Sequence, residues 1–173
     1  MLPFFELVVN EGDDITGVDF NSFVELPAHY KPLYAFNEEK EIYLFNEEKR
    51  IVTGVMISAN QPIYRKNPER YVLFRPEIIK IIRTKNIKQG FANNVNLDHN
   101  ENKVVKNIKV VSDYIVNNIN QIPERFRGLN LQAGTWIRSY RINDPGVWNK
   151  VKKGEFGGFS VEVTCEEIAI KLK

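Results

Sequence analysis

The stretch Arg50–Asn60, RIVTGVMISAN, restricts the fold more than any other part of this chain, because it contains the longest mostly apolar run outside the N-terminal segment. From Ile51 to Ala59 it is far shorter than the ~18 consecutive apolar residues that a spanning helix requires. Its Val, Ile and Thr side chains are stiff at χ1, which suits a pleated surface better than a helix. The run therefore reads as a buried central strand. Gly54 within it marks a bulge or the close approach of a neighbour.

Such a strand needs partners, and short strand-like segments recur along the chain. Residues 2–9, 41–45, 71–74, 93–99, 107–116, 134–142, 159–164 and 168–172 carry β-branched and aromatic residues or alternate apolar with polar ones. In the 93–99 segment the alternation predicts a strand that puts Val95, Leu97 and His99 on one face. Trp136 and Tyr140 should likewise share a face, and Cys165-Glu166-Glu167 reads as a turn between the last two strands. Phe36-Asn-Glu-Glu-Lys40 recurs as Phe45-Asn-Glu-Glu-Lys49, an echo too short for a repeat architecture and read as two polar turns.

Two segments read as helices. Pro76 suits a first helical turn, and Ile78, Ile79, Ile81, Ile82 and Ile87 form an apolar stripe. Lys80, Arg83, Lys85 and Lys88 are read as the solvated side of that helix. The second helix has Asp144 as N-cap before Pro145 and Gly154 at its stop, with Val147, Trp148 and Val151 facing the core. Together these elements predict an α+β fold, mostly an antiparallel β-barrel-like sheet with a few surrounding helices.

Composition narrows the function classes. Hydrophobic residues at 43% and charged residues at 27% are enough for one packed domain across residues 1–173. The 24 basic and 22 acidic side chains are interspersed, which gives no electrostatic footprint for specific nucleic-acid binding. The N-terminal segment lacks the basic start of a signal peptide, and no membrane partner is expected. One cysteine, Cys165, asks for no oxidising compartment.

The chemistry-bearing residues are few. Gly154-Glu-Phe-Gly-Gly-Phe-Ser-Val-Glu162 sets Ser160 just after a glycine pair, where backbone N–H groups can approach a substrate. Glu162 stands where the second glycine of a hydrolase elbow would be, and no Gly-Lys-Ser/Thr is present for a phosphate loop. A serine nucleophile needs a base, and the chain has two histidines. His29, after Pro27, reads as a surface or packing residue. His99, in Asn96-Leu-Asp-His-Asn100, lies among polar side chains and lacks a second ligand at zinc-site spacing, so no metal is expected. Cys165 reads as a buried, inert thiol.

Taken in order, Ile51-Val-Thr-Gly-Val-Met-Ile-Ser, Pro62-Ile-Tyr-Arg, Asn93-Asn-Val-Asn-Leu-Asp-His, Gly134-Thr-Trp, Val147-Trp and Gly154-Glu-Phe-Gly-Gly-Phe-Ser-Val-Glu resemble the XkdF-like phage prohead proteases. The resemblance covers about residues 50–163 and makes 50–173 the catalytic core, with 1–49 less clearly covered. It implies a relation to the prohead core proteases of tailed phages and the herpesvirus assemblins, and an assemblin-like fold. It also implies Ser160 as nucleophile and His99 as general base. The third member stays open among Glu166, Glu167 and Glu162, with Glu166 or Glu167 favoured slightly. Backbone N–H groups of Gly158 and Ser160, with Arg138 or Arg141, are candidates for the oxyanion site. No cofactor is implied. The expected substrates are the scaffolding protein and the major capsid protein, cut inside the assembling prohead in the bacterial host cytoplasm, by an enzyme expected to be a homo-oligomer, with a dimer possible. The rival readings are a capsid or scaffold component with the same fold and no catalysis, and a nucleic-acid module using Lys80–Lys88.

Overall fold

The computed structural model describes residues 2–13, 15–24 and 43–171. Before the first helix run β1 (Phe4–Val8), β2 (Gly17–Val24), β3 (Tyr43–Asn46), β4 (Ile51–Ile57), β5 (Ile63–Arg65) and β6 (Arg70–Phe74). Then come α1 (Pro76–Lys88), β7 (Val95–Leu97), β8 (Asn100–Val104), β9 (Ile108–Ile115) and β10 (Trp136–Ile142). The chain closes with α2 (Pro145–Lys152), β11 (Gly158–Thr164) and β12 (Glu166–Ile170). The predicted strands and both helices are present wherever they fall on described residues. His29 and the first Phe36–Lys40 turn lie outside the described residues.

These strands form three four-stranded sheets, ordered β12-β1-β6-β5, β3-β4-β10-β9 and β11-β2-β7-β8. The expected barrel-like closure is not found among the described residues: each sheet is open, with two edge strands. The pairing is mostly antiparallel, as expected, with two exceptions: β1 runs parallel to β6 and β2 parallel to β7. The cause is long-range pairing. β1 and β2 each take a parallel neighbour from mid-chain on one side and an antiparallel strand, β12 or β11, on the other. The segment up to Val24 is thus built into two of the three sheets together with strands from residues 50–173.

The local forces match the sequence at most elements. Ile79 and Ile82 of α1 are fully buried, and Asp144 caps α2 by accepting a hydrogen bond from the Val147 N–H at 3.0 Å. Gly154 ends that helix with φ +67°, a left-handed value that glycine adopts without a Cβ clash. The cationic side of α1 departs from expectation. Lys85 is buried, and its Nζ donates to the carbonyls of Asn10 and Asp13 at 2.6 Å each, because Asn10, Asp13 and Thr16 close over it. Arg83 is held by Asp113 at 2.7 Å. Only part of that face is left for solvent.

Trp136, Arg138 and Tyr140 are all buried on β10, and the Arg138 guanidinium lies 4.6 Å over the Trp136 ring. Beneath β2 and β11, Phe23 and Phe159 stack at 5.1 Å, and Tyr140 meets the Phe159 ring edge-on at 5.6 Å. Gly54 makes room for this cluster: a Cβ added there would come 2.7 Å from the Phe159 ring. Full burial of rings of this size stabilises by about 1.5–3 kcal/mol each. That anchors the two strands from below.

Candidate active site

In register, Ser160 of β11 stands opposite Ser22 of β2, and Ser22 stands beside Asn96 of β7. Paired residues project to one face of a sheet, and Glu162, two residues beyond Ser160, belongs to that face as well. Phe23 and Phe159 alternate to the other face and root both strands in the core. The sheet therefore gathers two hydroxyls, an amide and a carboxylate above an apolar floor.

His99 reaches the cluster from a hairpin, which corrects the expectation that it extends a strand. β7 stops at Leu97, and Leu97 pairs with Asn100 across the two-residue turn Asp98-His99. Both turn residues have positive φ, +55° and +54°. A tight two-residue hairpin demands that conformation to match strand twist, and Asp and His tolerate it better than most side chains. The turn swings the imidazole back over the sheet.

There, His99 Nδ1 lies 3.0 Å from Ser22 Oγ and 3.2 Å from Glu162 Oε1. Ser22 Oγ also contacts Asn96 Oδ1 and lies 3.2 Å from Glu162 Oε1, while Asn96 Nδ2 donates to Glu162 Oε1 at 2.9 Å. Ser22 and Asn96 are fully buried, whereas the His99 and Glu162 side chains are 41% and 34% exposed. Burial pushes the Glu162 carboxyl up, but hydrogen bonds from Asn96 and His99 outweigh it and hold the group below its ordinary value. Glu162 is thus kept as a carboxylate beside an imidazole.

The other predicted residues are placed as follows. Ser160 is buried at 8% exposure on the same face, and no hydrogen bond joins it to His99 among the described residues. Of the three acids, Glu162 is the one brought to the imidazole. Glu166 and Glu167 extend β12 instead of forming a turn, pairing with Val8 and Leu7, and Glu167 takes both arms of Arg70 at 2.6 and 2.8 Å. Arg138 is not brought to the cluster; its guanidinium bonds Asp113, the Ala92 carbonyl, Tyr140 Oη and Asn86. Arg141 pairs with Ile51 and Lys109 in the sheet. The Gly157 N–H is engaged by the Val24 carbonyl at 2.8 Å, and Gly158 is the first residue of the β11–β2 pairing.

A cavity of about 180 Å³ lies against β11, lined by Met56, Ser58, Phe74, Ser160, Val161 and Cys165 among others, but not by His99 or Glu162. Burial raises the Cys165 thiol, which disfavours a thiolate there. Among the described residues, no group of three or more His, Cys, Asp and Glu side chains is arranged to hold a metal ion, and no helix is long and apolar enough to cross a membrane.

The partner the sequence reading missed is Ser22. Asp19, Asn21 and Ser22 interrupt the alternation of β2, so its pattern did not register as a strand. Residues 40–169, about three quarters of the chain, match the family described as "Putative phage serine protease XkdF". The chain belongs to that family. Comparison with curated proteins and with solved structures gave no match. The XkdF-family match takes in Asn96, His99, Ser160 and Glu162; Ser22 falls before it.

Proposed function

We propose that this XkdF-family chain is a serine endopeptidase of phage capsid maturation that uses Ser160 as nucleophile, His99 as general base and Glu162 as the acid that orients it. The observation that carries the reading is the 3.2 Å contact of Glu162 with His99 Nδ1, two residues along the strand from Ser160. An acid on Nδ1 leaves Nε2 as the basic nitrogen, the arrangement acyl transfer needs. Glu162 takes this part ahead of Glu166 and Glu167 because their strand lies in another sheet.

In the proposed reaction Ser160 Oγ attacks the scissile carbonyl carbon while His99 Nε2 takes the hydroxyl proton. The carbonyl oxygen becomes an oxyanion, met by outward N–H groups of β11, which is an edge strand. His99 then delivers the proton to the leaving amine as the C–N bond breaks, and water releases the acyl group by the reverse proton path. The substrates are the scaffolding protein and the major capsid protein inside the assembling prohead, in the host cytoplasm, with the enzyme acting as a homo-oligomer. An inactive capsid component of the same fold is the main rival.

One observation favours a second assignment: the hydroxyl hydrogen-bonded to His99 is that of Ser22. Ser22 is fully buried and precedes the family match, which weighs against it as the attacking group. Coexpression of the chain with its phage's scaffold and capsid proteins tests the proposal by intact mass. Cleavage should occur with wild type and vanish with Ser160→Ala. Uncut substrates in assembled proheads with the wild-type chain would favour the inactive rival.

A further inference from the structure

Ser22 has no role assigned by the family match, yet its contacts restrict the whole cluster. A serine hydroxyl carries one proton, whereas an amide oxygen and a carboxylate carry none. Asn96 Nδ2 donates to Glu162, which turns Asn96 Oδ1 toward Ser22. Two acceptors compete for the one Ser22 proton, and the Asn96 amide oxygen lies closer than Glu162 Oε1 at 3.2 Å, so the proton goes to Asn96 and the Ser22 oxygen faces His99 as an acceptor. Two acceptors, Ser22 Oγ and Glu162 Oε1, then converge on Nδ1. A ring nitrogen met by two acceptors is the one that carries the proton.

We infer that Ser22 is a positioning residue: backed by Asn96, it fixes the His99 ring with its proton on Nδ1 and so presents Nε2 to Ser160. The inference rests on the Ser160–His99 reading above. It differs from the second assignment in what happens to the Ser22 proton. A hydroxyl committed to a buried amide oxygen, with no exposed surface, serves as a strut and not as an attacking group.

A fluorophosphonate probe tests this without knowledge of the peptide substrate. The attacking serine oxygen forms a bond to phosphorus, the P–F bond breaks, fluoride leaves, and the hydroxyl proton passes to the imidazole. Peptide mapping of the full chain should find the label on Ser160 in wild type and nowhere in Ser160→Ala. Ser22→Ala should label Ser160 about tenfold more slowly, the effect of one lost hydrogen bond, and Ser22→Thr should recover most of the rate. Imidazole ¹⁵N spectra, assigned with His99→Gln, should show the Nδ1 proton in wild type and its loss to exchange in Ser22→Ala.

A purely structural Ser22 would lower stability while leaving the labelling rate per folded molecule and the Nδ1 proton unchanged, and that result overturns the inference. So does a label found on Ser22. Wild type that takes no label, with an Nδ1 proton that still depends on Ser22, removes the Ser160 reading and keeps the hold of Ser22 on the ring. Should Ser22→Ala fail to fold, Ser22→Cys, which keeps the volume but donates weakly, is read the same way.

Discussion

Gly54→Ala should disturb the site without touching any polar group in it. The added Cβ would stand 2.7 and 2.9 Å from two carbons of the Phe159 ring, whereas ordinary contact begins at 3.4 Å. Relief therefore needs a shift of about 0.7 Å. The ring cannot simply swing aside, because it is buried at 2% exposure between Phe23 and Tyr140. Overpacking of this kind costs about 1–3 kcal/mol, offset by roughly 0.5–1 kcal/mol from removing a strand glycine. A net loss of about 1–2 kcal/mol should appear in urea unfolding followed by the fluorescence of buried Trp136 and Trp148, at unchanged m-value. Because Phe159 adjoins Ser160, the labelling rate should fall further than stability explains, as a displacement near 1 Å at a reacting group costs about 100-fold. Gly128→Ala, with nothing within 4 Å of the new Cβ, is the control and should stay within about 0.5 kcal/mol of wild type. Equal stability and labelling for Gly54→Ala and wild type would refute the argument that Phe159 is wedged.

Asp113→Ala should be far more costly, because that carboxylate accepts from Arg83, Trp136 Nε1 and the buried Arg138, and removing one partner of a buried charge pair costs about 3–5 kcal/mol; chemical denaturation measures it, and a loss under about 1 kcal/mol would contradict it. Glu162→Gln should change the acid limb of stability. The folded carboxyl is depressed, so its contribution is present above its unfolded value of 4.5 and is lost as the pH falls through the folded value. The gap between wild-type and Glu162→Gln urea midpoints should therefore narrow as the pH drops from about 6 through the carboxylate range; a constant gap would show that Glu162 does not couple to folding.

The sequence made the elements legible where local forces decide them. Proline and an isoleucine stripe announced α1, Asp144 and Gly154 bracketed α2, and the β-branched run at Ile51–Ile57 gave β4. It was silent on how far-separated strands would pair, because alternation tells which way a side chain faces and not which neighbour it meets. The barrel expectation failed for that reason. Ser22 escaped for a related one, since a strand whose polar residues face a polar cluster does not look amphipathic. Glu162 lay in view beside Ser160 in the sequence, but Glu166 and Glu167 stood equally near until Arg70 was found holding Glu167 in a different sheet. His99 was singled out as a candidate while its hairpin was not legible, because the left-handed pair Asp98-His99 falls inside an alternating stretch.

The pairing of β2 with β11 also sets a schedule. Ser22 and Glu162 are 140 positions apart, and β2 cannot meet β11 until the segment through Thr164 has been synthesised. β1 waits in the same way for β12. Contacts of such separation form late and slowly, after local helices and hairpins. A nascent chain on the ribosome can thus bring α1, the β7–β8 hairpin with His99, and Ser22 of β2 together while Ser160 and Glu162 are still missing, so translation itself delays the complete cluster until β11 has emerged.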